Sequence, residues 1–522
     1  MRWVMRGGTV VDGDGMRRAD VAIEGETVSE VGDIPAGEDD RVIDCRGRFV
    51  LPGFVDTHSH VDGLMEDESV QRALLRQGVT TVIAGQDGVS YAPGDGTYAR
   101  EYFAAINGEH PSYSGGGIGE FLRAVDGRSR LNLAYLVPAG TVRWEVCGRS
   151  RTPADDEQRA LMVALVEAGM SDGAVGLSTG LDYVPGIFAT ADEIAALCAP
   201  VARAGGIYVT HMRGGYESNS AAGIEEIARI SAASGVRVHI SHFHAQAHIV
   251  HDQLDALQRG GVDATFDAYP YTRGCTLLGM PLLPPELAVL SADTVVEVIT
   301  DPGERRRLRR DWFPAVERNA SLGPEWPSMI TLAHVAAPEF AWAHGLTLED
   351  AAARAGIDAI DLALDVLAAS RLQVNAVMAV RYERPVEELA RIFGHPGHLG
   401  GSDGIFIGAH PHPRARGTFA RYLREYVRES PEWSWSDAVG HLSSAPAARF
   451  GLGRRGRVAA GWVADLIVVD PRSVADTASY DEPLGEAVGI DDVLVAGVPV
   501  LANGALVNSR PGRGLRREQA EG

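Results

Sequence analysis

Leu51-Pro52-Gly53-Phe54-Val55-Asp56-Thr57-His58-Ser59-His60 is the stretch from which the rest of the chain can be read. A short apolar run, Phe54-Val55, leads straight into two histidines one residue apart. Side chains two apart on a β-strand point the same way, so His58 and His60 can offer two imidazoles to one cation where the strand end faces a cavity. Imidazole is the commonest protein ligand for zinc-like ions, and a catalytic site needs three or more such ligands with one position left open. The pair alone equally fits a His-X-His on an ordinary exposed strand. Its meaning therefore depends on what other strands bring.

Beyond it, short apolar strands alternate with longer helical patterns, the signature of βα units and a parallel sheet. Candidate strands run Phe54 to His58, Val79 to Gly85, Asn132 to Val137, Ala174 to Thr179, Ile207 to His211, Arg237 to His242, Ala264 to Tyr269 and His398 to Asp403. Eight is the number that closes a (β/α)8 TIM-like barrel. Amphipathic helices lie between several of them, such as Asp192 to Ala204, entered by Thr190, and Ser220 to Ser234. Two further apolar stretches, Met329 to Val335 and Ala376 to Val380, compete for a place in the eight. Short strands broken by Gly and Asp occupy residues 1 to about 50 and return in Ala464 to Asp470 and Val493 to Gly497. The expected architecture is α/β: a small β-sandwich domain formed from both chain termini (1–52 and 455–522) around a barrel (53–454). A Pro- and Arg-rich insertion at about 275–327 interrupts the barrel after its seventh strand.

A length of 522 residues suits one large barrel with an accessory domain. The formal net charge of −22 argues against nucleic acid or an anionic membrane as partner, since both require a basic face. No apolar run approaches the ~20 residues of a membrane span. The N-terminal stretch lacks the apolar core of a signal peptide, and four scattered cysteines suggest neither a disulfide framework nor a zinc finger. The expected location is the cytoplasm. All 48 basic residues are arginine, so no catalytic, Schiff-base or carbamylated lysine is available.

Active sites of such barrels sit at the C-terminal ends of the strands. Reading those ends gives His58 and His60 at the first strand, Asp87 past the second, His211 at the fifth, His242 at the sixth and Asp403 at the eighth. Any one could be structural; four imidazoles and two carboxylates at matching positions suit one or two divalent ions such as Zn2+.

Several of these stretches are specific enough to carry a resemblance. They are Gly176-Leu177-Ser178-Thr179-Gly180-Leu181-Asp182-Tyr183-Val184-Pro185-Gly186, Thr210-His211-Met212-Arg213, Ile240-Ser241-His242, Tyr269-Pro270-Tyr271-Thr272, Gly401-Ser402-Asp403 and His412-Pro413-Arg414. With Leu51 to His60, Gly78 to Val82 and Ala460 to Leu466, the chain resembles the amidohydrolase superfamily over nearly its whole length. More narrowly it resembles the D-aminoacylase (N-acyl-D-amino-acid deacylase) family. The resemblance implies His58, His60 and Asp403 at one metal position and His211 and His242 at another. The family commonly bridges the two with a cysteine in a Gly-Asn-Cys-Gly turn. Here that turn reads Gly85-Gln86-Asp87-Gly88, placing the harder carboxylate of Asp87 where the thiolate is expected; its bland reading is a turn-shaping residue beside Gly88. Arg414 matches the position that holds the substrate's carboxylate, and its guanidinium fork suits bidentate binding. Tyr269 matches an assisting tyrosine. Where the family usually has a lysine two residues beyond the sixth-strand histidine, this chain has His244, mostly neutral at pH 7 from a reference pKa of about 6.5. Pro138-Ala139-Gly140 replaces a Gly-His-Gly, and Cys275 stands where serine is common.

The implied chemistry is hydrolysis of an N-acyl-D-amino acid to a carboxylate and a free D-amino acid. A divalent ion acidifies water from a pKa of about 15.7 towards 7 and polarises the carbonyl, with Asp403 as general acid/base. The expected partner is a small molecule bearing a carboxylate, in a pocket shifted from the standard acylated D-amino acid. Competing readings are a D- or iso-dipeptidase or a cyclic-amide hydrolase on the same scaffold, and a barrel retained for binding alone.

Overall fold

The computed structural model describes residues 2–517 apart from 36, 320, 382, 383 and 431. Eight parallel strands form the central sheet: Phe54–Asp56, Val79–Ala84, Asn132–Pro138, Gly176–Gly180, Ile207–His211, Arg237–Ile240, Ala264–Ala268 and His398–Gly400. They pair in chain order, the seventh beside the eighth. These are the eight stretches expected from the sequence, with ends that differ by at most three residues. The barrel closes past the strand ends: Thr57 N–H donates to Gly400 O at 3.1 Å, Asp403 N–H to His58 O at 2.8 Å and His60 N–H to Gly404 O at 3.0 Å. The buried Asp56 carboxylate reinforces that seam by accepting from Ser402 N–H at 2.8 Å and Ser402 Oγ at 2.5 Å.

Alternation along the strands fills the barrel. Val55, Ile83, Ala134, Leu136, Ile207, Val209 and Leu399 form an inner cluster closed below by Phe450 and Leu515. Their neighbours Phe54, Val82, Leu133, Tyr135 and Tyr208 pack outward against the helices. Because the strand period is two, the inward row Ile207, Val209 continues to His211 and delivers that imidazole to the barrel mouth.

Chain ends build the second layer. The strands Thr9–Asp12, Gly15–Arg18 and Phe49–Pro52 share a sheet with Leu466–Val469, Ile490–Val495, Val498–Ala502 and Ala505–Leu506. A four-stranded sheet of Arg2–Arg6, Asp20–Glu24, Thr27–Gly32 and Arg41–Asp44 accompanies it. Met5, Val10, Ile23, Val50, Leu466 and Leu494 form their own apolar core. Gly53 carries the chain from this sheet into the first barrel strand past Thr80, where a Cβ would fall 2.2 Å from Thr80 Oγ1, so no larger residue fits.

Between barrel strands seven and eight the chain makes a long excursion. Gly274–Leu277, Ile330–Val335 and Val374–Met378 form a three-stranded antiparallel sheet with a separate core including Leu282, Ile299, Phe313, Leu332, Leu348 and Leu364. The two surplus apolar stretches of the sequence are strands of this sheet and leave the barrel count intact. The excursion that begins near Cys275 thus runs on through Met378, because its first strand finds its partner a hundred residues later. Among the described residues no helix is long and apolar enough to cross a membrane.

Candidate metal centre

Turns at the C-terminal ends of the strands hold the polar groups in conformations that cost energy. Asp87 (φ 54°), His242 (φ 32°) and Asp403 (φ 48°) all lie in the left-handed region that favours glycine. Each is buried and each aims a ligand atom at the same point. His60 Nε2 is 3.3 Å from Asp403 Oδ1 and 3.6 Å from Asp87 Oδ2. His58 Nε2 is 3.7 Å from both Asp87 Oδ1 and Asp403 Oδ1. His242 Nε2 is 3.8 Å from Asp87 Oδ1 and 3.2 Å from His211 Nδ1. Two nitrogens bound to one tetrahedral ion at about 2.05 Å would stand about 3.3 Å apart. His58, His60 and Asp403 form one group able to hold an ion, and His58, Asp87 and His242 a second. The six residues predicted from the sequence thus come together: His58 is common to the two groups, Asp87 reaches His58, His60 and His242, and His211 joins through His242.

Neighbouring acceptors fix which nitrogen of each ring faces inward. His58 Nδ1 faces Asp267 Oδ2 at 3.5 Å, His60 Nδ1 donates to Asn107 Oδ1 at 3.0 Å and His211 Nε2 to Asp182 Oδ2 at 3.3 Å. Asn107 is itself oriented by its Nδ2 donating to Val89 O at 2.9 Å. Asp267 also accepts from His242 N–H at 2.8 Å and His239 Nε2 at 3.0 Å. Outer partners of this kind are what orient metal-binding imidazoles. Asp267, Asp182 and Asn107 escaped the sequence reading; an acid inside the apolar strand Ala264–Ala268 was the one signal available.

Electrostatics agree with a cation-seeking site. Burial opposes the charge on Asp87, but the neighbouring imidazoles of His242, His58 and His211 hold its carboxyl well below the usual range. Asp403 likewise stays ionised despite burial, through Arg414 first and then His242 and His60. Burial would depress His58, yet Asp267, Asp87 and Asp403 together raise it to about 9. Buried His58 Nε2 and Asp87 Oδ1 lack hydrogen-bond partners among the described residues. A buried ring nitrogen and a buried carboxylate oxygen, left without partners amid an excess of carboxylates, fit a divalent ion that takes the place of the His58 proton.

A cleft of about 240 Å³ opens above this point, walled by His60, Asp87, His211, His242 and Asp403 below and by Tyr183, Tyr216, Cys275 and Met280 around. Tyr269 and His244 line it side by side, their rings 4.3 Å apart. Arg414 is placed differently: fully buried, its Nη2 lies 2.8 Å from Asp403 Oδ2 and its guanidinium sits 4.5 Å over the Tyr269 ring. His412 accepts Arg414 N–H at 3.0 Å and donates to Arg273 O at 2.9 Å.

A parallel barrel with four histidines and two carboxylates at the C-terminal mouth defines a protein built to hold divalent metal for hydrolysis. Residues 41–501 match the model of the amidohydrolase family, to which the chain belongs. It is 32% identical to N-acyl-D-glutamate deacylase of Alcaligenes xylosoxydans xylosoxydans, covering 99% of this chain and 96% of the relative. A solved N-acyl-D-glutamate deacylase from Bordetella bronchiseptica, complexed with zinc and a phosphonate inhibitor that mimics the tetrahedral intermediate, superposes with a TM-score of 0.82. That pair is 29% identical over 98% of this chain and 99% of the other. A D-aminoacylase described by its binuclear metal centre gives a TM-score of 0.81 at 29% identity, covering 99% of each chain.

Proposed function

We propose that this chain is a metal-dependent hydrolase that cleaves the amide bond of N-acyl-D-amino acids to a carboxylate and a free D-amino acid. The observation that carries the reading is the convergence of His58, His60, Asp87, His211, His242 and Asp403 beneath one cleft. The names of its full-length relatives supply the substrate class. Zinc suits the nitrogen-rich donor set, with His58, His60 and Asp403 at one position, His211 and His242 at the other, and Asp87 between. A divalent ion held there supplies Lewis acidity to the amide carbonyl and to water.

The chain's own residues do the rest. Asp403, ionised and facing the cleft, accepts a proton as a water oxygen bonds to the carbonyl carbon. It returns that proton to the nitrogen as the C–N bond breaks. Arg414, against the far side of the same carboxylate, holds Asp403 in place and stands behind Tyr269 at the end of the cleft that takes the substrate's carboxylate. His244 lines that end as a neutral ring. Residues 53–454 carry this chemistry, with 1–52 and 455–522 as the supporting β-domain. The scattered cysteines, all free, suit a cytoplasmic enzyme.

The test is a screen of the purified protein, supplied with zinc, manganese or cobalt, on N-acetyl amino acids of both hands, dipeptides and cyclic amides. Free amine should be released from N-acetyl-D-amino acids, and faster than from their L counterparts. Metal-replete protein inactive on every acylated D-amino acid, or active only on dipeptides or cyclic amides, would overturn the reading.

A further inference from the structure

One buried cation on the wall of the cleft has no part in the chemistry above. Arg384 lies between the inserted strand Val374–Met378 and the helix Val386–Phe393. Its side chain is 5% exposed and borders the cleft along with His244, Tyr269 and Thr272. Its only hydrogen bond among the described residues is a long one, Nη2 to Thr272 O at 3.5 Å; Nε and Nη1 are buried without a partner. A guanidinium keeps its charge at any physiological pH, and buried donors left unpaired cost stability until something accepts from them.

His244 Nδ1 donates to the His242 carbonyl at 2.5 Å, so its Nε2 is a lone pair, buried and without a partner among the described residues. Arg414 lies against Asp403, its Nη2 2.8 Å from Oδ2, and is not among the residues that line the cleft. Arg273 also borders the cleft, its half-buried guanidinium stacked 4.2 Å over the Tyr480 ring; Arg384 is the buried guanidinium on this wall, with two donors unpartnered among the described residues.

Resting on the hydrolase reading above, we infer that Arg384 binds a carboxylate of the substrate through its unpaired donors. A planar fork with two open N–H groups matches a carboxylate's two oxygens, whereas a neutral amide offers one acceptor. The residue enters the site from the connection between the last inserted strand and the barrel helix Val386–Phe393.

Three probes separate the sources of that carboxylate: N-acetyl-D-methionine with one, N-acetyl-D-glutamate with two, and N-acetyl-D-methioninamide with none. Arg384→Met should lower kcat/KM on an acid probe by roughly 10- to 100-fold, chiefly through KM, and leave the amide within about twofold. Arg384→Lys should recover part of the loss. Equal loss on both acids assigns Arg384 to the main-chain carboxylate; loss on the glutamate probe alone assigns it to the side chain. Unchanged kinetics on both acids, or the same loss on the amide, would overturn the inference. Should the native chain hydrolyse none of the three, the activity reading fails, and calorimetric binding of the two acids decides this one. Binding lost in Arg384→Met and retained in Arg384→Lys supports it, and binding indifferent to the substitution overturns it.

Discussion

Asp403 is gripped from three sides: Arg414 Nη2 at 2.8 Å, His60 Nε2 at 3.3 Å and His58 Nε2 at 3.7 Å. An amide in its place keeps the shape but loses the negative charge and the ability to take a proton. Asp403→Asn should therefore cut turnover by roughly 10²- to 10⁴-fold while far-UV dichroism and unfolding stay native-like. Activity within tenfold of the native chain in a metal-replete Asp403→Asn protein would remove it from the proton transfer. Strand ends made this residue legible, since His58, His60, Asp87, His211, His242 and Asp403 all follow apolar runs at equivalent positions. The groups that orient them were not legible. Asn107 closes a helix far from His60 in sequence, Asp182 sits in a loop, and Arg384 follows an inserted sheet. Their contacts are long-range and leave no local spacing. Arg414 shows the converse: its motif places it near the site, but only the packing of Tyr269 and Asp403 around it shows that it faces the acid and not the open cleft.

The barrel strands could be read because each is a buried apolar run bounded by a turn, buried on both faces as parallel strands are. The excursion after strand seven could be read only in part, because its composition marks an interruption while its extent is fixed by strand Gly274–Leu277 pairing with Val374–Met378. Nor could the pinning between helices be anticipated. Arg143, on the helix Ala139–Cys147, places Nη1 at 2.7 and 2.8 Å from the two oxygens of Glu193, on the helix Ala191–Arg203, and Nη2 at 2.6 Å from Thr152 O. Both side chains are almost fully buried, at 1% and 3% exposure, so removing one strands the other's charge in the interior. Arg143→Leu should cost about 3–5 kcal/mol in denaturant unfolding, and adding Glu193→Leu should return most of it. A single variant as stable as the native chain, or a double variant worse than either single one, would show that the pair is not what joins these helices.

Over the whole molecule, the residues proposed to hold metal come from the ends of barrel strands one, two, five, six and eight, so one site ties together strands distant in sequence. Among the described residues, the hydrogen bonds between the first and last strands lie at and beyond Asp56 and Gly400, where His58, His60 and Asp403 also lie. A cation bound there adds a cross-link at the seam and offsets the buried charge of Asp87, Asp403 and Asp267 in a chain already carrying −22. The unfolded chain scatters these six residues and holds the ion weakly, so binding is folding free energy. Chelator-treated protein should unfold at a lower temperature, and returned zinc should raise the midpoint progressively with its concentration, the gain reaching about 2.7 kcal/mol at a hundredfold excess over Kd. His242→Ala should lose much of that rise, and an Asp470→Asn substitution in the terminal sheet should keep it. Protein shown by elemental analysis to be metal-free, yet with a midpoint indifferent to zinc, would mean that the barrel mouth closes without help from a cation and that the acids at its centre are stabilised by the histidines alone.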